Sequence, residues 1–320
     1  MTVLVLTRPM DATADLVIAE LAARSVPVFR LDPRDFPEAM TVTAGIGPER
    51  PTWRGALWGQ HRDVALSDIR SVYYRRPGTH RLHPDMSDQD ARWAQAEARA
   101  GFGGLLYALP CPWVNHPHRN ARAALPPVAL ATAARCGLSV PRTLITNDPT
   151  EAREFVSALP GEVAAYKALG TTHPSDHDDR PQALWTSQVR PAEIDESVRR
   201  TAHQFQEWVN KAYEVRLTAV GHSLFAAEIH AGSDAARLDF RADYDSLICK
   251  LCQVPEHIAR GVHMLTFTFG LQYVALDFLV DSEGTWYLID VNPNGQWGFI
   301  PDLREPITRA LADLLERARP

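Results

Sequence analysis

The sequence predicts a mixed α/β chain, α+β over its whole length, and three stretches carry that expectation. The N-terminus alternates an apolar run (Val3 to Thr7), an amphipathic helical pattern (Ala12 to Ala23) and a second apolar run (Val26 to Leu31). This β-α-β order implies a parallel sheet flanked by helices. From Phe205 to Ile229 the chain is rich in strand patterns. Near the C-terminus two apolar runs flank four turn formers, Asp281-Ser282-Glu283-Gly284, which marks an antiparallel hairpin.

The remaining elements follow in chain order. Strands are expected at Met40 to Ile46 and Ser71 to Tyr74, and Asp88 to Leu109 reads as one long alanine-rich helix. Together these make a first domain over residues 1–115. No G-x-G-x-x-G follows its first strand, so a dinucleotide site has no support there. Pro110, Pro112, Pro117, Pro126 and Pro127 punctuate a linker into a helix from Val128 to Cys136 that stops at Gly137.

A second unit over residues 116–204 has strands at Thr143 to Thr146 and Val163 to Lys167, with a helix from Pro149 to Ala158 between them. Segment 170–182 is polar and has little to bury, so it is either a lid that a ligand orders or an idle surface loop. A third unit over residues 205–320 holds strands Phe205 to Val209, Glu214 to Val220 and Leu224 to Ile229. A helix from Pro255 to Phe269, the hairpin, and a final amphipathic helix from Glu305 to Ala318 complete it.

The 320 residues are 45% hydrophobic and 22% charged, enough apolar material for two or three compact units and too much for a disordered chain. A net charge of −6 leaves no basic footprint for nucleic acid or anionic membrane, so neither partner is expected. The apolar start is too short for a signal peptide and no run reaches membrane-spanning length, so a cytoplasmic location is expected. Cys249 and Cys252 are spaced C-x-x-C but lack a second pair or a matching His pair, and read as two small buried thiols.

Asp277 lies inside the apolar run Val274 to Val280, where an ionised carboxylate is costly without a partner. If Val280 faces Thr285 across the hairpin, Asp277 faces Leu288, and side-chain alternation then puts Leu288, Asp290 and Asn292 on the face of Asp277. Diagonal neighbours on such a face are about 7 Å apart, close enough for their oxygens to meet a cation at roughly 2.1 Å each, as Mg²⁺ requires. The alternative is a buried structural acid beside an ordinary turn at Asn292-Pro293-Asn294-Gly295. Three ligand-type residues on one face favour the metal platform, and a one-residue shift in the turn would undo it.

Lys167 at a strand end, Gln206-Glu207-Trp208-Val209, Glu214, Arg216, Arg241, Asp277, Asp290 and Asn292 occur in an order that resembles the ATP-grasp ligases, over roughly residues 115 to 320. More narrowly, Tyr73-Tyr74-Arg75-Arg76-Pro77, Phe205-Gln206-Glu207, Leu238-Asp239-Phe240-Arg241 and Asn292-Pro293-Asn294-Gly295-Gln296-Trp297-Gly298 look like the ATP-grasp ribosomal peptide maturases. Those enzymes make graspetides, the microviridins among them. The resemblance implies an ATP-grasp fold of two α+β subdomains behind a β-α-β pre-ATP-grasp domain. It implies ATP and Mg²⁺ as cofactors and a precursor peptide, leader plus core, as partner, and it admits a homodimer.

By the same resemblance, Lys167 reaches the phosphates, the segment after Gln206 borders adenine through the backbone of Glu207, Trp208 and Val209, and Glu214 accepts the ribose hydroxyls. Asp277, Asp290 and Asn292 hold the metal. Arg216 is a phosphate or acyl-phosphate clamp, or else an ion-pair partner of Glu214. Arg241 is a second clamp, or a partner of Asp239. The activity implied is carboxylate activation as an acyl phosphate, followed by ester or amide closure within a precursor peptide. A ligase that joins a free amino acid to a peptide is the rival, and an idle peptide or nucleotide binder a more distant one.

Two departures stand out. Asp290 occupies a place where the superfamily usually has Glu. Pro126-Pro127-Val128-Ala129-Leu130 stands where a Lys-Pro-x-Gln-Leu pattern usually supplies a phosphate-binding lysine, leaving Arg119 or Arg122 as substitutes.

Overall fold

A computed structural model of the chain describes residues 1–59, 62–170, 186–233, 238 and 243–317. Strands β1 (Thr2–Thr7), β2 (Val28–Leu31), β6 (Ile69–Arg76) and β7 (Trp113–Val114) form a parallel sheet in the order β2-β1-β6-β7. Helix α1 (Ala12–Ala23) crosses from β1 to β2, as the β-α-β pattern predicts. Asp11 caps it by accepting from the N–H groups of Thr13 and Ala14, each at 3.2 Å. Strands β3 (Thr41–Gly47), β4 (Arg50–Trp58) and β5 (Asp63–Ala65) make a separate antiparallel sheet, of which only β3 was expected.

The long helix expected from Asp88 to Leu109 is interrupted. It is α-helical over Asp88–Ala98 (α2), π-helical over Arg99–Gly103 and α-helical again over Gly104–Tyr107. The proline-punctuated stretch is not an irregular linker: it folds into α3 (Pro117–Ala123) and α4 (Pro126–Arg135). Each starts on proline, whose missing N–H costs nothing in the first turn.

A second, antiparallel sheet has the order β10-β9-β11-β8, from β8 (Thr143–Thr146), β9 (Ala164–Lys167), β10 (Ser187–Val189) and β11 (His203–Glu207). Helix α5 (Pro149–Ser157) contributes Ala152 and Val156 to its core. The third large sheet has the order β14-β13-β12-β15-β16 and is antiparallel throughout. Its members are β12 (Lys211–Val220), β13 (Ser223–His230), β14 (Ile248–Leu251), β15 (Tyr273–Asp281) and β16 (Trp286–Asn292).

Helix α6 (Glu256–Phe269) packs Ile258, Val262 and Leu265 against one face of that sheet, together with Ala129 and Ala133 of α4. Helix α7 (Pro301–Arg317) begins four residues before its expected start. Its Ile307, Leu311 and Leu315 share a core with Val17 and Leu21 of α1 and Val3 and Val5 of β1. The last helix therefore ties the C-terminal sheet to the first one. Cys249 and Cys252 are half-buried free thiols rather than fully buried ones, and burial pushes Cys252 up to about 11. Among the described residues, no helix is long and apolar enough to cross a membrane.

Asn115 is the polar counterpart of this seam. Its Oδ1 accepts from the N–H groups of Gln272 (2.7 Å) and Tyr273 (3.0 Å), and its Nδ2 donates to the carbonyls of Tyr273 (2.7 Å) and Pro293 (3.2 Å). Asn115→Ala would orphan several buried backbone groups, each worth about 1–3 kcal/mol. A fall in stability of at least about 2 kcal/mol is expected, read as a lower urea midpoint at unchanged slope.

Candidate active site

Strands β12 and β15 pair with Glu214 opposite Leu279 and Arg216 opposite Asp277. Cross-strand partners share a face, so these four side chains look one way. Val215, Leu217, Leu276 and Phe278 look the other way, into the core beneath α6.

The hairpin reaches the expected arrangement by an unexpected route. Asp281 Oδ1 accepts from the N–H groups of Glu283 (2.9 Å) and Thr285 (2.8 Å), and Asp281 N–H donates to the Thr285 carbonyl at 3.2 Å. The loop is thus the three residues Ser282 to Gly284, with Gly284 at φ +82°, and Val280 faces Trp286 rather than Thr285. This shift alone would turn the acids apart. It is cancelled between Phe278↔Leu288 and Asp277↔Asp290, where Ile289 is the extra residue of a β-bulge. Asp277 faces Asp290, Ala275 faces Asn292, and the three predicted donors share a face. Leu288 does not share it: opposite Phe278, it belongs to the apolar core.

That face opens on a cleft of about 320 Å³ between the second and third sheets. Lys167 and Gln206 line it from the second sheet, and Glu214, Asp277, Asp290 and Asn292 from the third. Glu207, Trp208 and Val209 line it at the crossing from β11 to β12. All nine positions line one cleft. Arg241 and segment 171–182 of the expected lid lie outside the described residues.

The wiring is directional. Thr143 Oγ1 donates to the Pro141 carbonyl, Gln206 Nε2 donates to Thr143 Oγ1, and Lys167 Nζ donates to Gln206 Oε1, each at 2.9 Å. Lys211, a cleft residue that sequence reasoning missed, donates to Glu214 Oε1 at 2.6 Å. Its signal was its place between Val209 and Glu214. Glu207 turns its carboxylate to Arg142 at 2.9 Å.

Arg216 is not a cleft-lining residue and does not pair with Glu214. It is 5% exposed and lies behind Asp277, with Nη1 donating to Asp277 Oδ1 at 2.6 Å. Its Nε (3.2 Å) and Nη2 (2.7 Å) donate to the Gln296 carbonyl. Burial works to lower its pKa, but the Asp277 carboxylate works against that and the net shift is upward, so the guanidinium stays charged.

One arginine from the first sheet grips the same loop and a second comes near it. Arg75, 1% exposed, donates to the Asn294 carbonyl and to Gln296 Oε1 (2.8 Å), while Arg76 Nη2 lies 3.4 Å from the Asn294 carbonyl. Asp11 sits 3.8 Å from Arg75. Burial works to raise the Asp11 pKa, but Thr13, Arg75 and the Ala14 N–H bring it below its usual value. Tyr273 is kept neutral chiefly by burial and donates to the Gly295 carbonyl at 2.7 Å. The sequence offered only the Arg-Arg-Pro run at a strand end as a sign of this clamp.

The donor set fits Mg²⁺: two carboxylates and an amide oxygen on one face, with no thiol or imidazole among them. Pro126 lines the cleft, so the position where the usual lysine is absent does face the site. Neither proposed substitute reaches it. Arg119 Nη1 donates to the Gly270 carbonyl at 2.8 Å, and Arg122 stacks 5.3 Å from the Phe269 ring centre.

A family profile described as the MvdD pre-ATP grasp domain matches residues 2–121. No curated protein matches the chain. Among solved structures, a Chryseobacterium gregarium RiPP-associated ATP-grasp ligase in complex with ADP and a leader and core peptide is 24% identical. The alignment covers 98% of this chain and 96% of that one, with a TM-score of 0.89. The macrocyclase MdnC from Microcystis aeruginosa MRC, bound with precursor peptide MdnA, is 25% identical over 99% of each chain, with a TM-score of 0.86. The ATP-grasp ligase PsnB, complexed with a phosphomimetic variant of a minimal precursor, Mg and ADP, is 21% identical over 98% of each chain, with a TM-score of 0.76.

Fold and site together define an ATP-grasp ligase. Residues 2–121 match an MvdD-type pre-ATP-grasp domain, and over nearly its whole length the chain is similar to ATP-grasp macrocyclases.

A Cβ on Gly295 would press into Ala275 Cβ and stand 2.7 Å from Arg216 Nη2. Gly295→Ala is therefore expected to displace the loop and lower Mg²⁺-dependent ATP turnover by roughly tenfold or more, the size of effect that a small misplacement of a site produces. A coupled ADP-release assay reads this.

Proposed function

We propose that the chain uses ATP to activate a side-chain carboxylate of a ribosomally made precursor peptide and joins it to a hydroxyl or amine of the same peptide, closing a ring. The observation that carries this reading is the convergence of hinge, lysine, ribose acceptor and metal donors on one cleft. The MdnC and PsnB structures, whose descriptions include precursor peptides, support the peptide as substrate.

A free carboxylate resists attack because its oxygen leaves poorly. Transfer of the γ-phosphoryl group gives an acyl phosphate and ADP, and attack by a Ser or Thr hydroxyl or a Lys amine then expels phosphate. The net change in the peptide is loss of one water per ring. Mg²⁺, held by Asp277, Asp290 and Asn292, supplies charge neutralisation to the phosphates when bound. Lys167, steadied by Gln206, meets the phosphates as a point charge. The backbone of Glu207 to Val209 borders the base, and Glu214 accepts the ribose hydroxyls. Arg216, behind Asp277, holds that carboxylate in place rather than meeting the substrate, and the role of countering the negative charge that develops at the reacting carbonyl falls to Arg241 in this proposal.

The proposed units are residues 1–115, 116–204 and 205–320, with the nucleotide and metal site on the last two. A cytoplasmic location and a homodimer belong to the same reading. Light scattering tests the homodimer.

The test is to incubate the protein with ATP, Mg²⁺ and candidate precursor peptides and to weigh the peptides. Loss of one water per ring supports cyclisation. A gain of residue mass indicates ligation of a free amino acid, and tight peptide binding without mass change indicates an idle binder. Asp290→Asn should abolish turnover while leaving the circular dichroism spectrum and urea midpoint near those of the wild type; an active variant would remove Asp290 from the metal site.

A further inference from the structure

We propose that Arg8 and Arg76 form a subsite for the side-chain carboxylate of the peptide about to be activated, an inference that rests on the peptide-maturation reading above. Strands β1 and β6 run parallel, with Thr7 opposite Arg76, and the Arg8 N–H donates to the Arg76 carbonyl at 3.2 Å. Both residues thus stand at the carboxyl ends of adjacent parallel strands, the edge of an α/β sheet at which ligands bind.

The arginines around them are balanced. Arg30 has Asp15 at 2.6 Å, Arg75 has Asp11 at 3.8 Å and Arg216 has Asp277 at 2.6 Å. Among the described residues, no carboxylate lies within 4.0 Å of the guanidinium of Arg8 or Arg76. Arg76 keeps only the long contact to the Asn294 carbonyl, so most of its five donors remain available. Its pKa is lowered by partial burial and the like charges of Arg75 and Arg8, against the opposing charge of Asp11.

The place of the pair matters as much as its charge. Asn294 is two residues from the metal donor Asn292, and Pro293 between them lines the cleft. A carboxylate on Arg76 therefore lies against the same loop that carries the metal donor. A guanidinium fork matches a planar carboxylate through two parallel N–H···O bonds. A nucleotide phosphate is the other anion that could bind there, and the test separates the two.

Calorimetric titration of the full chain, with and without Mg²⁺ and AMPPNP, uses an octapeptide bearing three glutamates and its all-glutamine counterpart. The wild type should bind the acidic peptide roughly tenfold more tightly than the neutral one, as a charge-assisted pair warrants. Arg8→Gln/Arg76→Gln should erase that preference and leave AMPPNP affinity within about twofold. The subsite is overturned if the wild type shows no acidic preference or if the double variant keeps it. It is also overturned if the variant loses AMPPNP affinity instead, which would assign the pair to phosphate. Failure of the wild type to bind AMPPNP, read before any peptide is added, would strike the functional reading itself; the nucleotide-free arm still reads the acidic preference.

Discussion

One guanidinium sets the geometry of the whole site. Arg216 spends its donors on the Asp277 carboxylate and the Gln296 carbonyl, and in doing so fixes the middle of β15 relative to the loop that follows β16. Both contacts are buried, where charge-assisted bonds count for more than at the surface and where an unmatched charge would be costly. Without Arg216, Asp277 would be a buried carboxylate in an apolar strand and the Gln296 carbonyl would lose its donors. With it, Asp277 has a counter-charge and still lines the cleft.

Around this pair the loop from Asn292 to Trp297 is gripped from two directions. Arg216 holds it from the third sheet, Arg75 from the first, and Tyr273 closes the gap through the Gly295 carbonyl. Asp11 joins the scheme twice, as the cap of α1 and as the counter-charge of Arg75. The N-terminal sheet is therefore part of the site's scaffold even though its strands contribute no residue to the lining of the nucleotide cleft. It also explains why an Arg-Arg-Pro run and an Asn-Pro-Asn-Gly-Gln-Trp run, more than 200 positions apart, travel together in this chain: Arg75 donates to Asn294 across a separation of 219 residues.

Much of this was legible where one physical rule governed. The α1 pattern matches the observed helix end to end, and strand alternation put Glu214 and Arg216 on one face, where the pairing of β12 with β15 has them. What stayed hidden was local irregularity. The predicted donors Asp277, Asp290 and Asn292 share one face because two one-residue shifts cancel, one from an Asp281 side chain that shortens the loop and one from the bulge at Ile289. No periodicity announces either shift. Strand β4, with Pro51 and Gly55 inside it, and the short edge strands β5, β10 and β14 lack the apolar alternation that would mark them. Arg216 was legible as a site residue but not as one facing inward, because direction depends on Gln296, eighty positions away.

The central claim is that Asp277, Asp290 and Asn292 jointly hold the divalent ion that carries the nucleotide. Diffraction from crystals grown with Mn²⁺ and ADP, recorded at the manganese absorption edge, tests it most directly. The account predicts an anomalous peak at coordination distance, roughly 2.1 Å, from oxygens of these three side chains, with Arg216 still on the far side of Asp277. A manganese ion bound elsewhere in the cleft, with both carboxylates left outside its coordination sphere, would contradict it.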